Sequence, residues 1–481
     1  MVNVPGRSKG CATCRRRKIK CDQTFPQCVK CTRIGEICPG PRTEAFFVHT
    51  TASKENSQAN SSQLITKRDA GQYLALPDAR TVHACRADAF DQLFLCHFIE
   101  SFGNFKSKNG PDADWLALLP VIFRQSSDGL SKHAIRSTTM VTYGTWARDA
   151  SIRSDAYQWY GKALASFSNL LSLKQTNRQL RLESAICSAV MMIHFETWAN
   201  TTEKSWHQHV QGAASLLEEM GAKNCQVGFL HGVFRHLRMQ VFIVAMECEL
   251  RLLLASPEWM TVPFQHHPKE AFDELIDVLF STQKNLKAAD GLRQVADDSS
   301  YTTTRLELID DVAETHHLLE QWRKRHYTTT GLETVRSIVR QYDAPLPFDC
   351  QNVLSHEQTW LVPAAALMAL EDVATMINVT LLRATSGSDI IEKDDLALGW
   401  DILRASYFVR AVPGASKDMG PMMLLPPLKI ASIWSTDDNV RKLAQAELEH
   451  DPTTKGALGN LAQQDAGFFA SLATHLRRSG H

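Results

Sequence analysis

The sequence lacks the motifs that would place it in several large enzyme classes. It contains no Gly-x-Gly-x-x-Gly, Walker A, Gly-x-Ser-x-Gly or His-Glu-x-x-His pattern, which argues against nucleotide-dependent, serine-hydrolase and zinc-protease chemistry. His356-Glu357 begins the last of these motifs, but Trp360 occupies its second histidine position. We therefore expect a protein that is not an enzyme.

Segments typical of membrane and secreted proteins are also missing. No run of about 18 apolar residues occurs, and the stretch Val241–Ala255 is interrupted by Glu247, Glu249 and Arg251. Residues Met1–Arg7 contain no apolar stretch typical of a signal peptide. We expect an intracellular protein without a membrane partner, in which thiols stay reduced and clustered cysteines usually bind metal.

Charge is balanced overall but unevenly distributed. The 481 residues hold 52 Lys and Arg and 52 Asp and Glu. Residues 1–42 carry ten of the basic and two of the acidic residues, so the remaining chain is acidic by eight charges. A basic head on an acidic body indicates that the head binds a polyanion.

Cysteine is concentrated in the same head. Six of the twelve cysteines follow the pattern C-x2-C-x6-C, which occurs twice with six residues between the copies: Cys11, Cys14, Cys21, Cys28, Cys31 and Cys38. Six sulfurs give two four-coordinate zinc ions only if two sulfurs bridge, and the repeat indicates the first cysteine of each half, Cys11 and Cys28. We expect two Zn²⁺ per chain, with a formal charge of −2 on the cluster that nearby cations offset.

The head resembles the fungal Zn₂Cys₆ binuclear-cluster transcription factors. The resemblance covers residues 11–42 and rests on the cysteine spacing, the Arg-Arg-Arg-Lys-Ile-Lys run, Asp22 after the third cysteine and Pro26 before the fourth. It implies two short helices related by pseudo-symmetry, with Pro26 in the loop between them. The alternatives are a disulfide scaffold and a structural, metal-storage or protein-interaction zinc module without sequence-specific DNA binding.

The resemblance also implies how the head contacts double-stranded DNA in the nucleus, at genes transcribed by RNA polymerase II. The family's lysine at the position of Lys18 contacts guanines of a CGG-type triplet in the major groove. We expect Arg15 and Lys20 to contact phosphates, together with Arg16 and Arg17.

The resemblance predicts a small Zn₂Cys₆ binuclear cluster domain followed by a large all-α helical regulatory domain. We place the cluster domain at 7–42, a flexible polar linker at 43–80 and the fungal-specific regulatory domain at 81–478. The linker shows no sustained heptad pattern, so the coiled coil that usually pairs family members is not expected. The protein then binds DNA as a monomer or forms a homodimer through the body.

Helical spacing of apolar residues dominates the body. We expect three buried stripes, at Leu182, Ile186, Val190 and Ile193; at Val233, Leu237, Val241, Ala245, Cys248 and Leu252; and at Tyr160, Leu164, Phe167 and Leu171. Pro257 is predicted to end the second of these helices, and Asp290–Thr304 to form a loop. A last amphipathic helix is expected at Leu461–Arg478.

One body segment, Trp206–Leu217, resembles the family's regulatory domain, which would bind a small-molecule effector, a co-regulator or a second copy. Within it, His207 and His209 lie two residues apart, which on a helix separates them by about 200° and prevents them from sharing a metal. We expect packed, hydrogen-bonded histidines. The six scattered cysteines are expected to be small buried residues: Cys85, Cys96, Cys187, Cys225, Cys248 and Cys350.

Overall fold

The structure is a computed structural model, and it divides the chain into two compact units, Met1–Leu76 and Pro77–His481. It describes residues 11–22, 24, 28–36, 38, 79–103, 115–126, 129–172, 178–202, 204–247, 253–292, 298–341, 361–386, 395–411, 420–450 and 472–473. Within these ranges every regular element is a helix, in agreement with the predicted fold class. The predicted domain boundaries stay predictions.

The first unit contains two very short helices, α1 (Ala12–Arg16) and α2 (Val29–Thr32). Helices of five and four residues have almost no stability of their own. Among the described residues of this unit, the buried apolar cluster consists of the six cysteines. The described part of the unit therefore depends on a metal rather than on apolar packing.

The second unit is a layered assembly of longer helices. They are α3 (Ala79–Gly103), α4 (Trp115–Gln125), α5 (Leu130–Trp146), α6 (Ala150–Ser172), α7 (Arg178–Ala199), α8 (Ser205–Met220), α9 (Gly228–Glu247), α10 (Pro257–Thr261), α11 (Ala271–Leu292), α12 (Asp298–His326), α13 (Leu332–Val339), α14 (Leu361–Ser386), α15 (Asp395–Ala411), α16 (Gly420–Trp434) and α17 (Asp438–His450). Three short 3₁₀ turns lie at Ala222–Cys225, Leu253–Ala255 and Val262–Phe264.

Helix α5 is central to the N-terminal half of this body, where it packs against α3, α6 and α7. Its buried hydroxyls bond to backbone: the Thr138 hydroxyl donates to the Met191 carbonyl at 2.6 Å. Gly144 allows α6 to approach closely, since an added Cβ would lie 2.9 Å from Cγ of Arg153. Small and satisfied side chains thus permit tight helix packing.

Two of the three predicted stripes are buried as expected. In α7, Ile186, Val190 and Ile193 are buried and Leu182 is half-buried. The stripe in α9 is likewise buried at its four described positions, Val233, Leu237, Val241 and Ala245.

The stripe predicted for α6 is wrong at Leu164, which is 39% exposed. Tyr160 is buried and Phe167 is half-buried as predicted, and the other buried residues of α6 are Ile152, Ala156 and Ala163. Alanines leave room for a neighbouring helix to approach, and large apolar side chains alone do not reveal such a face.

Two predicted boundaries are also wrong. Helix α9 ends at Glu247, and Pro257 begins α10 rather than ending α9, because a proline at the first helical position sacrifices no hydrogen bond. The predicted loop 290–304 is helical up to Leu292 and again from Asp298. Helix α12 packs against α11 and α14, although Tyr301, Thr302 and Thr303 near its start are exposed.

Helix α14 forms the centre of the C-terminal half. Its segment Val362–Thr385 is long and apolar enough to cross a membrane, yet 89% of the apolar stretch is buried within the protein. Glu371 and Asp372 lie on it and are fully buried, bonded to Arg336 of α13 at 2.7 and 2.8 Å. Helix α14 is therefore a core helix.

Several expectations concern positions outside the described residues. They are those for Pro26, the linker up to residue 78, the side chains of Cys85 and Leu171, Cys248, Leu252, Cys350, His356-Glu357 and most of the C-terminal segment 461–478, of which Leu472 and Ala473 are helical and buried.

Candidate metal centre and nucleic-acid interface

The six predicted cysteines come together in one buried cluster. Their sulfurs form two groups of four, each compact enough to hold a metal ion: Cys11, Cys14, Cys21 and Cys28; and Cys11, Cys28, Cys31 and Cys38. The two groups share Cys11 and Cys28, the pair that the sequence repeat indicates as bridging. Within the part of the chain that the structure describes, no other group of His, Cys, Asp or Glu is placed to hold a metal.

The sulfur separations fit tetrahedral zinc. The shared pair Cys11 and Cys28 lies 3.7 Å apart, and Cys14 lies 3.6 Å from Cys28. A Zn–S bond of about 2.3 Å places two sulfurs of a tetrahedron about 3.8 Å apart. The donor set and its spacing therefore fit two zinc ions.

Backbone N–H groups point at the sulfurs with the symmetry of the repeat. The N–H of Cys11 donates to the sulfur of Cys21 at 3.5 Å, and that of Cys28 donates to the sulfur of Cys38 at 3.3 Å. Each pair is ten residues apart in sequence, and the second pair follows the first by 17 residues. N–H···S bonds favour thiolates, the form that binds metal.

Burial opposes thiolate formation in this cluster. It raises the pKa of Cys14 to about 12, with further contributions from neighbouring thiols. A bound metal cation would offset this cost, so metal binding releases protons and depends on pH.

Lys18 has an unusual backbone conformation at the end of α1. Its φ is +56°, in the left-handed region, and the N–H of Ile19 donates back to the Cys14 carbonyl at 3.0 Å. This is the Schellman arrangement that closes a helix, normally with glycine at the left-handed position. At the equivalent place in the second half, 17 residues later, the residue is Gly35, with φ +68°.

The cations around this helix end are exposed. Arg16, Arg17, Lys18 and Lys20 all face solvent and form no ion pair with any residue the structure describes. The side chain of Arg15 lies outside the described residues. Mutually repelling cations without carboxylate partners form a surface suited to a polyanion.

Asp22 has a structural role that the sequence pattern alone did not reveal. Its carboxylate accepts N–H groups from Val29 and Lys30, at the start of α2, and from Thr24. These hydrogen bonds, that from the Thr24 hydroxyl above all, lower the pKa of Asp22 to about 2. The Asp-x-Thr spacing is the available signal, because Asp commonly bonds backbone two residues ahead.

His209 of the body takes part in a hydrogen-bond network of its own. Nε2 of His209 lies 2.7 Å from the Tyr160 hydroxyl, which donates its proton to Glu196 at 2.6 Å. His209 therefore donates from Nε2 to Tyr160. This confirms the predicted packed, hydrogen-bonded histidine, while His207 instead contacts the ring of Trp206.

One of the scattered cysteines departs from expectation. Cys187 and Cys225 are buried as predicted, but Cys96 is exposed on α3. The buried face of α3 is formed by Leu95 and Phe98, and Cys96 points away from it. Its apolar neighbours in sequence belong to the opposite side of the helix.

The paired four-sulfur groups and the helical body define the class: a zinc-cluster protein with a helical regulatory region. Residues 9–43 match the family model of the fungal Zn(2)-Cys(6) binuclear cluster domain, and residues 112–246 match the fungal specific transcription factor domain. The second match includes the segment Trp206–Leu217. These two matches support a fungal Zn₂Cys₆ transcription factor whose cluster domain binds two zinc ions.

Among curated proteins, the transcriptional regulatory protein moc3 of Schizosaccharomyces pombe is 58% identical over 31 residues. That alignment spans 6% of this chain and 6% of moc3, so the likeness concerns a short segment alone. No solved structure matches the chain.

Proposed function

We propose that the protein binds double-stranded DNA sequence-specifically in the nucleus and regulates genes transcribed by RNA polymerase II. The observation that carries this proposal is the row of exposed, unpaired cations at the end of α1, fixed by the cysteine cluster. The proposed zinc ligands are Cys11, Cys14, Cys21, Cys28, Cys31 and Cys38. Zinc supplies a structural crosslink here, since all six sulfurs are needed to complete two four-coordinate sites.

In the proposed complex, Lys18 contacts base edges and its neighbours contact phosphates. A lysine ammonium donates hydrogen bonds to guanine O6 and N7, which face the major groove. Arg15, Arg16, Arg17 and Lys20 neutralise phosphates, which adds affinity that falls with salt. The left-handed backbone at Lys18 directs its side chain from the helix end, where the closing turn leaves it exposed.

The helical body serves a regulatory rather than a catalytic role in this proposal. Proteins of this family are typically not enzymes, and the buried polar groups of the body described above are engaged in structural hydrogen bonds. The body would respond to a small-molecule effector or a co-regulator, or pair two chains, and so shift the population of active molecules.

The test is selection from random duplex DNA with the full-length, zinc-loaded protein. Enrichment of CGG-like triplets, abolished in Lys18→Ala, supports the proposal. Two triplets at fixed spacing indicate a dimer formed through the body, and a single triplet indicates a monomer. A folded protein with two zinc ions that enriches no sequence overturns the proposal and favours a protein-interaction module instead.

A further inference from the structure

Asp22 joins the two halves of the cysteine cluster. It directly follows Cys21, the last cysteine of the first half, while its hydrogen-bond partners Val29 and Lys30 directly follow Cys28 in the second half. Oδ1 accepts the N–H of Val29 at 3.2 Å, and Oδ2 accepts the N–H of Lys30 at 3.1 Å. One carboxylate thus binds two backbone N–H groups that the four-residue helix α2 cannot satisfy itself.

Thr24 completes this arrangement. Its backbone N–H and its hydroxyl both donate to Oδ1 of Asp22, and its hydroxyl oxygen also accepts the N–H of Val29, at 3.2 Å. Asp22 is therefore held by the turn that follows it as well as by α2. We call Asp22, Thr24 and the N–H groups of Val29 and Lys30 the inter-half clamp.

The inter-half clamp lies next to the cysteines whose sulfurs must approach those of the other half most closely. Cys28 belongs to both four-sulfur groups, and the sulfur of Cys31 must lie close to that of Cys11, at 3.7 Å. Thiolates this close repel one another until metal binds, and among the described residues of this unit the buried apolar cluster consists of the cysteines themselves. Bonds outside the sulfurs are then needed to hold the two halves in register.

We propose that Asp22 is a positioning residue of the metal centre: through the inter-half clamp it preorganises the second half to complete the two-metal cluster and thereby fixes the DNA-binding helix. The part concerning DNA rests on the proposed function. Partners that orient the ligands of a metal typically contribute about 10- to 100-fold in metal affinity.

The decisive variant is Asp22→Asn, and Glu36 offers a matched control. Asn keeps one acceptor oxygen but presents an N–H₂ donor where the carboxylate accepted a second N–H. Glu36 is exposed in the same unit, and its side chain forms no hydrogen bond or ion pair with the described residues. Asp22→Asn and Glu36→Gln remove the same charge, so any difference between them reports the inter-half clamp.

Zinc is counted by native mass spectrometry of the full-length protein during titration with a chelator. We expect the wild type and Glu36→Gln to lose zinc at the same free-chelator concentration. Asp22→Asn should lose one ion at a roughly 10- to 100-fold lower free-chelator concentration. Equal zinc retention in Asp22→Asn and Glu36→Gln would overturn the proposal.

Binding to the selected duplex at limiting zinc gives a second measurement, in which the two variants should change DNA affinity in opposite directions. Removing a negative charge from a DNA-binding surface tightens binding by electrostatics alone, which we expect for Glu36→Gln. Asp22→Asn should instead bind more weakly than the wild type, and binding as tight as that of Glu36→Gln would contradict the proposal. If the wild type binds two zinc ions but no DNA, the proposed function fails while the zinc measurement still decides the role of Asp22.

Discussion

Lys18 and Gly35 occupy equivalent places in the repeat. Substituting each toward the other therefore tests whether the left-handed backbone at Lys18, the proposed base-contacting residue, costs folding free energy. Both have left-handed backbones, at φ +56° and +68°. That conformation costs an L-residue about 1–2 kcal/mol, whereas glycine adopts it freely. Glycine in turn destabilises the fold by about 0.4–1 kcal/mol through its flexibility in the unfolded chain. We therefore expect Lys18→Gly to stabilise the folded cluster by about 1 kcal/mol.

The reciprocal substitution, Gly35→Ala, should destabilise the cluster by a similar amount. An added Cβ at Gly35 would meet no atom within 4 Å, so the cost comes from the backbone alone. Because folding and metal binding are coupled in such small units, about 1 kcal/mol appears as a roughly fivefold change in apparent zinc affinity. Competition with a chromophoric chelator measures this affinity. We expect tighter zinc binding for Lys18→Gly and weaker zinc binding for Gly35→Ala.

Lys18→Ala is the control, since it removes the ammonium but keeps a Cβ at the left-handed position. It should bind zinc like the wild type, while both Lys18 variants lose about 1–3 kcal/mol of discrimination for the selected DNA. Lys18→Gly would then be more stable than the wild type and defective in DNA binding. If Lys18→Gly binds zinc no more tightly than Lys18→Ala, the backbone at this position is not strained and the reasoning fails.

Three further predictions concern the two units separately. Burial lowers the pKa of His236 to about 4, so the folded body keeps this ring neutral while the unfolded chain protonates near pH 6.5. The contribution of neutral His236 to the free energy of unfolding is therefore fully present above pH 6.5, and up to about 3 kcal/mol of it is lost as the pH falls toward 4. Denaturant unfolding of the wild type and of His236→Phe at several pH values will detect this loss. Equal pH dependence of the two proteins would refute the prediction. Arg336→Leu should cost about 3–5 kcal/mol of unfolding free energy, because it leaves Glu371, Asp372 and Asp401 buried without this partner, and an unchanged urea midpoint would contradict that estimate. Chelation of zinc should abolish DNA binding while the far-ultraviolet circular dichroism and the melting temperature of the body stay near their holo values, because the body has an apolar core of its own. Loss of helix content across the chain would disprove the independence of the two units.

The metal centre could be predicted closely from sequence because metal geometry restricts ligand spacing severely. Two copies of C-x2-C-x6-C leave few ways to complete two tetrahedral sites, and the repeat indicates Cys11 and Cys28, the two cysteines that both four-sulfur groups share. Asp22 is different. Its role depends on N–H groups seven and eight residues away, and a lone aspartate does not indicate which backbone it will meet.

In the body, some buried helix faces follow from the sequence pattern of apolar residues, and others depend on how the helices pack. Large apolar residues at helical spacing predicted the buried faces of α7 and α9, because such residues form one continuous apolar face that favours burial. In α6 the buried face depends on Ala156 and Ala163, whose small size matters only once a neighbouring helix is present. The start of α12 at Asp298 was missed because local propensity favours a loop there.

The 17-residue repeat has a consequence for how the cluster could be re-engineered. Both halves end their helix with the same left-handed turn, yet only the first carries a run of four consecutive cations, Arg15–Lys18, whereas the second carries Lys30 and Arg33. The backbone turn is therefore repeated in both halves, while the run of four cations occurs in the first half alone. Under the proposed function, the side chains rather than the backbone would then set the orientation of the cluster on DNA. Moving the basic run from Arg15–Lys18 to the equivalent positions Thr32–Gly35 would be expected to reverse that orientation.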